Sequence, residues 1–137
     1  MKIYKLISLT MVMLFAVTGI LFLGLPDKVV IFFNTLSAYL GMRPAPLTGW
    51  NLYQVLAVGY MYIVTILAFL MFKHANNLSF PLLLTHAKLA SSLLSLAIFL
   101  LQGPYLIYLA NFAVDAVIGV VVLNLYLRLR RSAWAYS

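Results

Sequence analysis

Four uninterrupted apolar runs constrain this chain more than any other feature. They extend from about Leu6 to Leu25, Leu52 to Phe72, Leu82 to Leu100 and Tyr105 to Leu127. Each is close to the roughly 20 residues that a helix needs to cross a hydrocarbon core. The runs are continuous, not alternating, and four strands could not close a barrel, so helices are expected. Composition agrees. Hydrophobic residues make up 66% of the 137 positions and charged residues 8%, against about 25% charged in a soluble domain. Too few polar side chains exist to coat a globule in water. A soluble enzyme, a disulfide-stapled module and a disordered tail are excluded. The expected fold class is all-α integral membrane: one transmembrane domain over residues 1–137, built as an antiparallel four-helix bundle.

The formal net charge of +7 would suit a nucleic-acid binder if the cations formed one basic face. They fall instead in small groups between the apolar runs, the pattern of orientation signals, and no nucleic-acid partner is expected. With the N-terminus inside, Lys2, Lys5, Lys73, Arg128, Arg130 and Arg131 lie on one side, and Lys28 and Arg43 on the other. That bias predicts cytoplasmic N- and C-termini, and the expected location is a bacterial inner membrane. The first run is longer than the 7–15 residues of a signal-peptide core, and Gly24-Leu25-Pro26 is a poor cleavage site, so it reads as a retained helix. The chain contains no cysteine.

The sizeable connection, Pro26 to Trp50, is not featureless. Over residues 27–40, Val29, Phe32, Phe33, Leu36 and Leu40 fall on one helical face and Asp27, Lys28, Asn34, Thr35 and Ala38 on the other. This predicts an amphipathic helix lying in the membrane interface, with packing over the bundle mouth as the alternative. Pro26 suits its first turn and Gly41 its end. Arg43-Pro44-Ala45-Pro46 reads as an extended linker, and Trp50 as an interfacial anchor. In the second connection Ser79 is the expected N-cap, with Pro81 in the first turn. Gln102-Gly103-Pro104 makes a tight hairpin, so the last two spans should be antiparallel neighbours.

Ionisable groups inside a bilayer are costly unless paired or hydrated, which makes them the best functional clue. The chain has two, Lys88 in the third span and Asp115 near the middle of the fourth. Tyr108, Asn111, Asp115, Gly119, Val122 and Tyr126 share one face of the fourth span. Thr85, Lys88, Ser92, Ser95, Phe99 and Gln102 form a stripe on the third. Counting down from the hairpin puts Asp115 level with about Ser92 and Lys88 about 6 Å deeper, within reach of a lysine side chain. Lys88, Asp115, Asn111, Ser92 and Tyr108 are therefore the candidate site. Three readings stay open: a polar seam that holds two helices together, a site for a headgroup, proton or quinone, or pairing of Asp115 with another subunit.

No catalytic residue, metal or cofactor is expected. His74 and His86 stand twelve residues apart without a haem-ligand context, and two His and two Asp do not make a closed metal site. Tyr53, Ala57, Tyr60 and Val64 share a face of the second span, a wall that could stack on a ring or simply mark helix contacts. Ala16 and Gly19, Ala57 and Gly59, and Ala87 and Ser91 would permit close helix approach.

The run Gly19-Ile20-Leu21-Phe22-Leu23-Gly24-Leu25-Pro26, followed by the amphipathic segment from Asp27 to Met42, resembles the DoxX-like group of small four-helix membrane proteins. The resemblance covers nearly the whole chain as architecture and implies that fold. It transfers no catalytic residue: the sterol-isomerase relatives depend on intramembrane acids that this chain largely lacks. The small multidrug transporters also have four spans, but their essential acid lies in the first, where this chain has none. The expected function is that of a small non-catalytic accessory or scaffolding subunit, docking through its helix faces onto a larger membrane protein or onto copies of itself, amid membrane lipids. The alternative is a carrier or redox-associated protein that binds a quinone, lipid or small hydrophobic ligand at the Lys88/Asp115 region.

Overall fold

The computed structural model describes residues 2–49 and 51–134. Five helices make up the fold: α1 (Lys2–Gly24), α2 (Pro26–Tyr39), α3 (Leu52–Lys73), α4 (Ser79–Leu101) and α5 (Leu106–Trp134). Four of them, all except α2, are long and apolar enough to cross a membrane. Among the described residues there is no strand. The helices outrun the apolar segments that announce them. α1 begins at Lys2, and α5 continues through Arg128, Arg130 and Arg131 because Arg and Leu are good helix formers whether or not they face lipid.

Local chemistry explains the breaks. The proline ring at Pro26 pushes Leu25 out of the helical region, to φ −139° and ψ 49°, and starts α2 at once. Gly41, at φ +65°, ends α2 in a Schellman turn. There Met42 N–H donates to Ser37 O at 2.9 Å, and Gly41 N–H to Ala38 O at 3.4 Å. The Pro-rich linker is not loose. Asn34 donates to Ala45 O at 2.8 Å and accepts from Ala45 N–H at 2.7 Å. Asp27 accepts from Gly49 N–H at 3.1 Å. Asn51 caps α3 by accepting from Gln54 N–H at 3.0 Å. Trp50, expected as an interfacial anchor, lies outside the described residues. At α4 the expected cap is corrected. Ser79 is already helical and Leu78 is the cap residue. Asn77 Oδ1, two positions earlier, takes the Ser79 N–H at 2.9 Å, because an Asx side chain bonds readily two residues on.

α1 packs along α3 and α4 along α5, while α3 and α4 touch less and α2 lies across α1 and α5. In each long pair one residue number falls as the other rises. Lys5 lies against Phe72, Gly19 against Met61 and Phe22 against Gln54; Lys88 meets Asp115 and Ser95 meets Asn111. Lys2, Lys5, Lys73 and the arginines of α5 therefore gather at one end, with Lys28 and Arg43 at the other.

The two ends are built differently. Tyr4, Met11, Phe15, Met61, Val64, Ala68, Met71, Leu84, Ile118, Val122 and Leu125 are buried in one apolar cluster. All lie at mid-bundle or towards the end that holds the chain termini. The α2 end is hollow.

Candidate functional site

The boundary between the packed and the hollow half is a single lysine. Lys88 Nζ donates to Asp115 Oδ1 at 2.9 Å, and both residues are buried. Its ammonium also lies 4.5 Å from the centroid of Phe15 and 5.1 Å from that of Tyr60, close enough for the ring quadrupoles to stabilise the cation. Thus α1, α3 and α5 each bring one side chain to a cation carried by α4. Tyr60 is held in turn by its hydroxyl, which donates to Ala87 O at 3.0 Å. A charge pair without these partners would be strongly disfavoured in a low-dielectric interior.

The polar stripe of α4 continues upward from Lys88. Ser92 Oγ donates across to Phe112 O at 3.0 Å. Asn111 Nδ2 donates to Ser95 Oγ at 2.6 Å and, at 3.4 Å, to Ser91 Oγ. Thr85, lower down, donates to Pro81 O at 2.8 Å within its own helix. Tyr108 lies higher on the α5 face, its ring 5.9 Å from that of Tyr105. Its hydroxyl makes no hydrogen bond with the described residues. So Lys88, Asp115, Asn111 and Ser92 join one α4–α5 seam, while Tyr108 joins only the space beside it.

Close approach of α4 and α5 depends on Gly119. A Cβ there would stand 2.7 Å from Leu89 Cδ2 and 3.5 Å from the Leu89 backbone nitrogen. Leu89 therefore fills the gap that the missing Gly119 side chain leaves on the Asp115 face. Gly19 plays a milder version of this role against Met61 Cβ, at 3.3 Å. Gly59 does not: nothing stands within 4 Å of a Cβ built there, so its expected part in close packing within the chain is corrected.

Above the Lys88 cluster lies a cavity of about 610 Å³ between the four long helices. Phe22, Tyr53, Ala57 and Ile98 are among its apolar and aromatic walls, Tyr108 borders it, and Lys88, Asp115 and Asn111 supply its polar floor. Asp115 Oδ2 and Asn111 Oδ1 have no hydrogen-bond partner among the described residues. The floor thus keeps free acceptors beside a pinned cation, which suits a ligand hydroxyl that can donate to them. Size and lining match those of small-molecule sites, which are concave, mostly apolar and supplied with a few polar groups.

The histidines take no part in this site. His74 ends α3 with its ring 6.1 Å from that of Phe80, and His86 is exposed. Among the described residues no three His, Cys, Asp or Glu side chains converge. Sequence reasoning missed Phe15 and Leu89. Phe15 had a signal, because Ser8, Met11, Phe15, Thr18 and Phe22 recur at seam-like spacings of three and four.

No family model, no curated protein and no solved structure matches the chain. The four-sided Lys88 cluster and the cavity above it carry the functional reading.

Proposed function

We propose that this protein is an integral membrane protein that holds a small hydrophobic or amphiphilic ligand, of lipid or quinone type, without catalysing its conversion. The observation that carries this reading is the 610 Å³ cavity floored by Lys88, Asp115 and Asn111. A close-packed bundle serving only as a scaffold has no need of such a hollow, since empty space forfeits dispersion contacts. The rival is the non-catalytic accessory subunit. Its support is the broad Leu- and Val-rich outward surface of the long helices, but acyl chains cover such a surface equally well.

The same proposal includes the membrane arrangement: an antiparallel four-helix transmembrane bundle in a bacterial inner membrane, of DoxX-like architecture, with cytoplasmic termini. Six cations at the terminal end against two at the α2 end support that orientation. α2 lies in the interface. In its favour, Phe32 and Leu40 are 59% and 64% exposed, a poor arrangement in water but a good one among headgroups and acyl chains.

Two experiments test the proposal. Mild detergent extraction followed by lipid analysis should recover one amphiphile per chain, and Ala57→Trp, which fills the cavity, should lose it. A large protein that always co-purifies, with the amphiphile content unchanged in Ala57→Trp, would establish the accessory subunit instead. For orientation, a lone cysteine at Pro46 should react with an impermeant thiol reagent in intact cells and one at Asn76 should not. The reverse pattern would invert the topology.

A further inference from the structure

The hollow half has a side opening. α1 and α5 have no extended contact, and α2 bridges them by packing against both. Beneath α2, in that gap, lies a second cavity of about 490 Å³. It shares Thr18, Phe22, Ile107, Asn111 and Val114 with the inner cavity. The two therefore adjoin along these residues and form a path from the flank of the bundle towards Lys88 and Asp115. Along α1 it reaches from Leu14 to Leu25, about 16 Å at 1.5 Å per residue.

The opening is apolar with one charged exception. Lys28, in the first turn of α2, lines it. The residue is exposed, and its ammonium has no ion-pair or hydrogen-bond partner among the described residues. Its neighbour Asp27 is already engaged with Gly49 N–H. Beside it, Phe32 and Val29 line the same opening. A single cation at the rim of an apolar passage matches a molecule with one anionic end and one hydrocarbon tail. The opposite insertion is disfavoured, since a charged headgroup would have to shed its water against apolar walls.

We infer that this passage is the entry and seat of a fatty-acid carboxylate. The tail passes beneath α2, between α1 and α5, and ends among the apolar walls that the two cavities share, short of the polar floor at Lys88 and Asp115, while the carboxylate stays at the rim on Lys28. This inference rests on the ligand-holding reading above and adds its ligand class and route. It gives α2 a definite role as the lintel of a lateral opening, tied in place through Asn34 and Asp27.

The test uses the full chain in nanodiscs of neutral phosphatidylcholine at alkaline pH, where the carboxylate is ionised. The probe is myristic acid with a diazirine near its methyl end, and the competitors are unlabelled myristate and tetradecanol. Saturable photo-adducts are expected on α1 near Thr18 and Phe22 and on α5 near Ile107 and Val114. Myristate should displace them about fivefold more effectively than the alcohol, the increment expected of one lysine near an anionic group. Lys28→Gln should abolish that preference. It is an exposed change that leaves the packing untouched, so it decides the matter even if a bulkier variant misfolds. Val114→Trp, at the junction of the two cavities, should remove the adducts. Equal competition by acid and alcohol, or a preference that survives Lys28→Gln, would overturn the carboxylate assignment. Saturable labelling elsewhere, unaffected by Val114→Trp in a folded sample, would overturn the route. Absence of saturable labelling by either amphiphile in the unmodified protein would bring down the ligand-holding reading itself.

Discussion

The terminal half and the α2 half of this molecule use the same four helices to opposite ends. In the terminal half Val64, Ala68, Met71, Leu84 and Val122 are completely buried, and the helices meet through close-fitting apolar side chains. In the α2 half the same helices surround a cavity, and Tyr53 on its wall is 80% exposed. Lys88, Asp115, Phe15 and Tyr60 mark the transition. Helices in lipid gain little from the hydrophobic effect between one another, so association rests on dispersion and on polar contacts. The packed half uses mainly the first. The hollow half forgoes much of it and is braced by the α4–α5 hydrogen bonds and by the bond from Gln54 Nε2 to Phe22 O at 2.8 Å.

The sharpest way to break this division is at the boundary. Lys88→Met should strand the Asp115 carboxylate and cost roughly 3–5 kcal/mol. Lys88→Met combined with Asp115→Leu should be milder than the sum of the single changes, because neither partner is then left charged and alone. Denaturant titration in detergent, followed by circular dichroism, measures all three. Strictly additive losses would mean that the pair does not meet.

Packing should differ on either side of that boundary. Leu84→Ala in the packed half should cost about 1–3 kcal/mol, the cavity part of a buried Leu→Ala loss, since the transfer part largely vanishes when the separated helices remain in lipid. Leu94→Ala on the cavity wall should stay within about 0.5 kcal/mol. Equal losses at the two positions would erase the distinction between the halves.

Glycine substitutions refine the comparison further. Gly119→Ala should cost about 1 kcal/mol by pressing on Leu89, and Leu89→Ala in the same chain should remove most of that penalty. Gly59→Ala meets open space and should leave the isolated chain unchanged or slightly more stable, as expected for Gly→Ala in a helix. A marked loss at Gly59 in intact membranes alone would reveal a contact with another chain on that face.

Much of the architecture was legible in the residues themselves. The four long helices follow from run length, the α1–α2 break from Leu25-Pro26, and the end of α2 from Gly41. The Lys88–Asp115 contact was legible too, because the hairpin at Gln102 to Tyr105 fixes the relative depth of two adjoining helices by simple counting. The start of α4 was less legible: Ser79 is a good capping type, but the helix is capped at Leu78 and the Ser79 N–H is taken by Asn77 Oδ1, which only the path of the loop decides.

Sequence alone thus determined what is local or counted along the chain: which segments are helical, where they stop, and which polar groups lie at one depth. Tertiary structure alone decided that Leu89 fills the notch at Gly119, that Phe15 reaches Lys88 from α1, and that α2 spans a gap between α1 and α5. The physical reason is that a helix apolar on nearly every side encodes little about its rotation or its lateral spacing. Those follow from how side chains of all four helices fit together, and that fit closes one half of the bundle and leaves the other open.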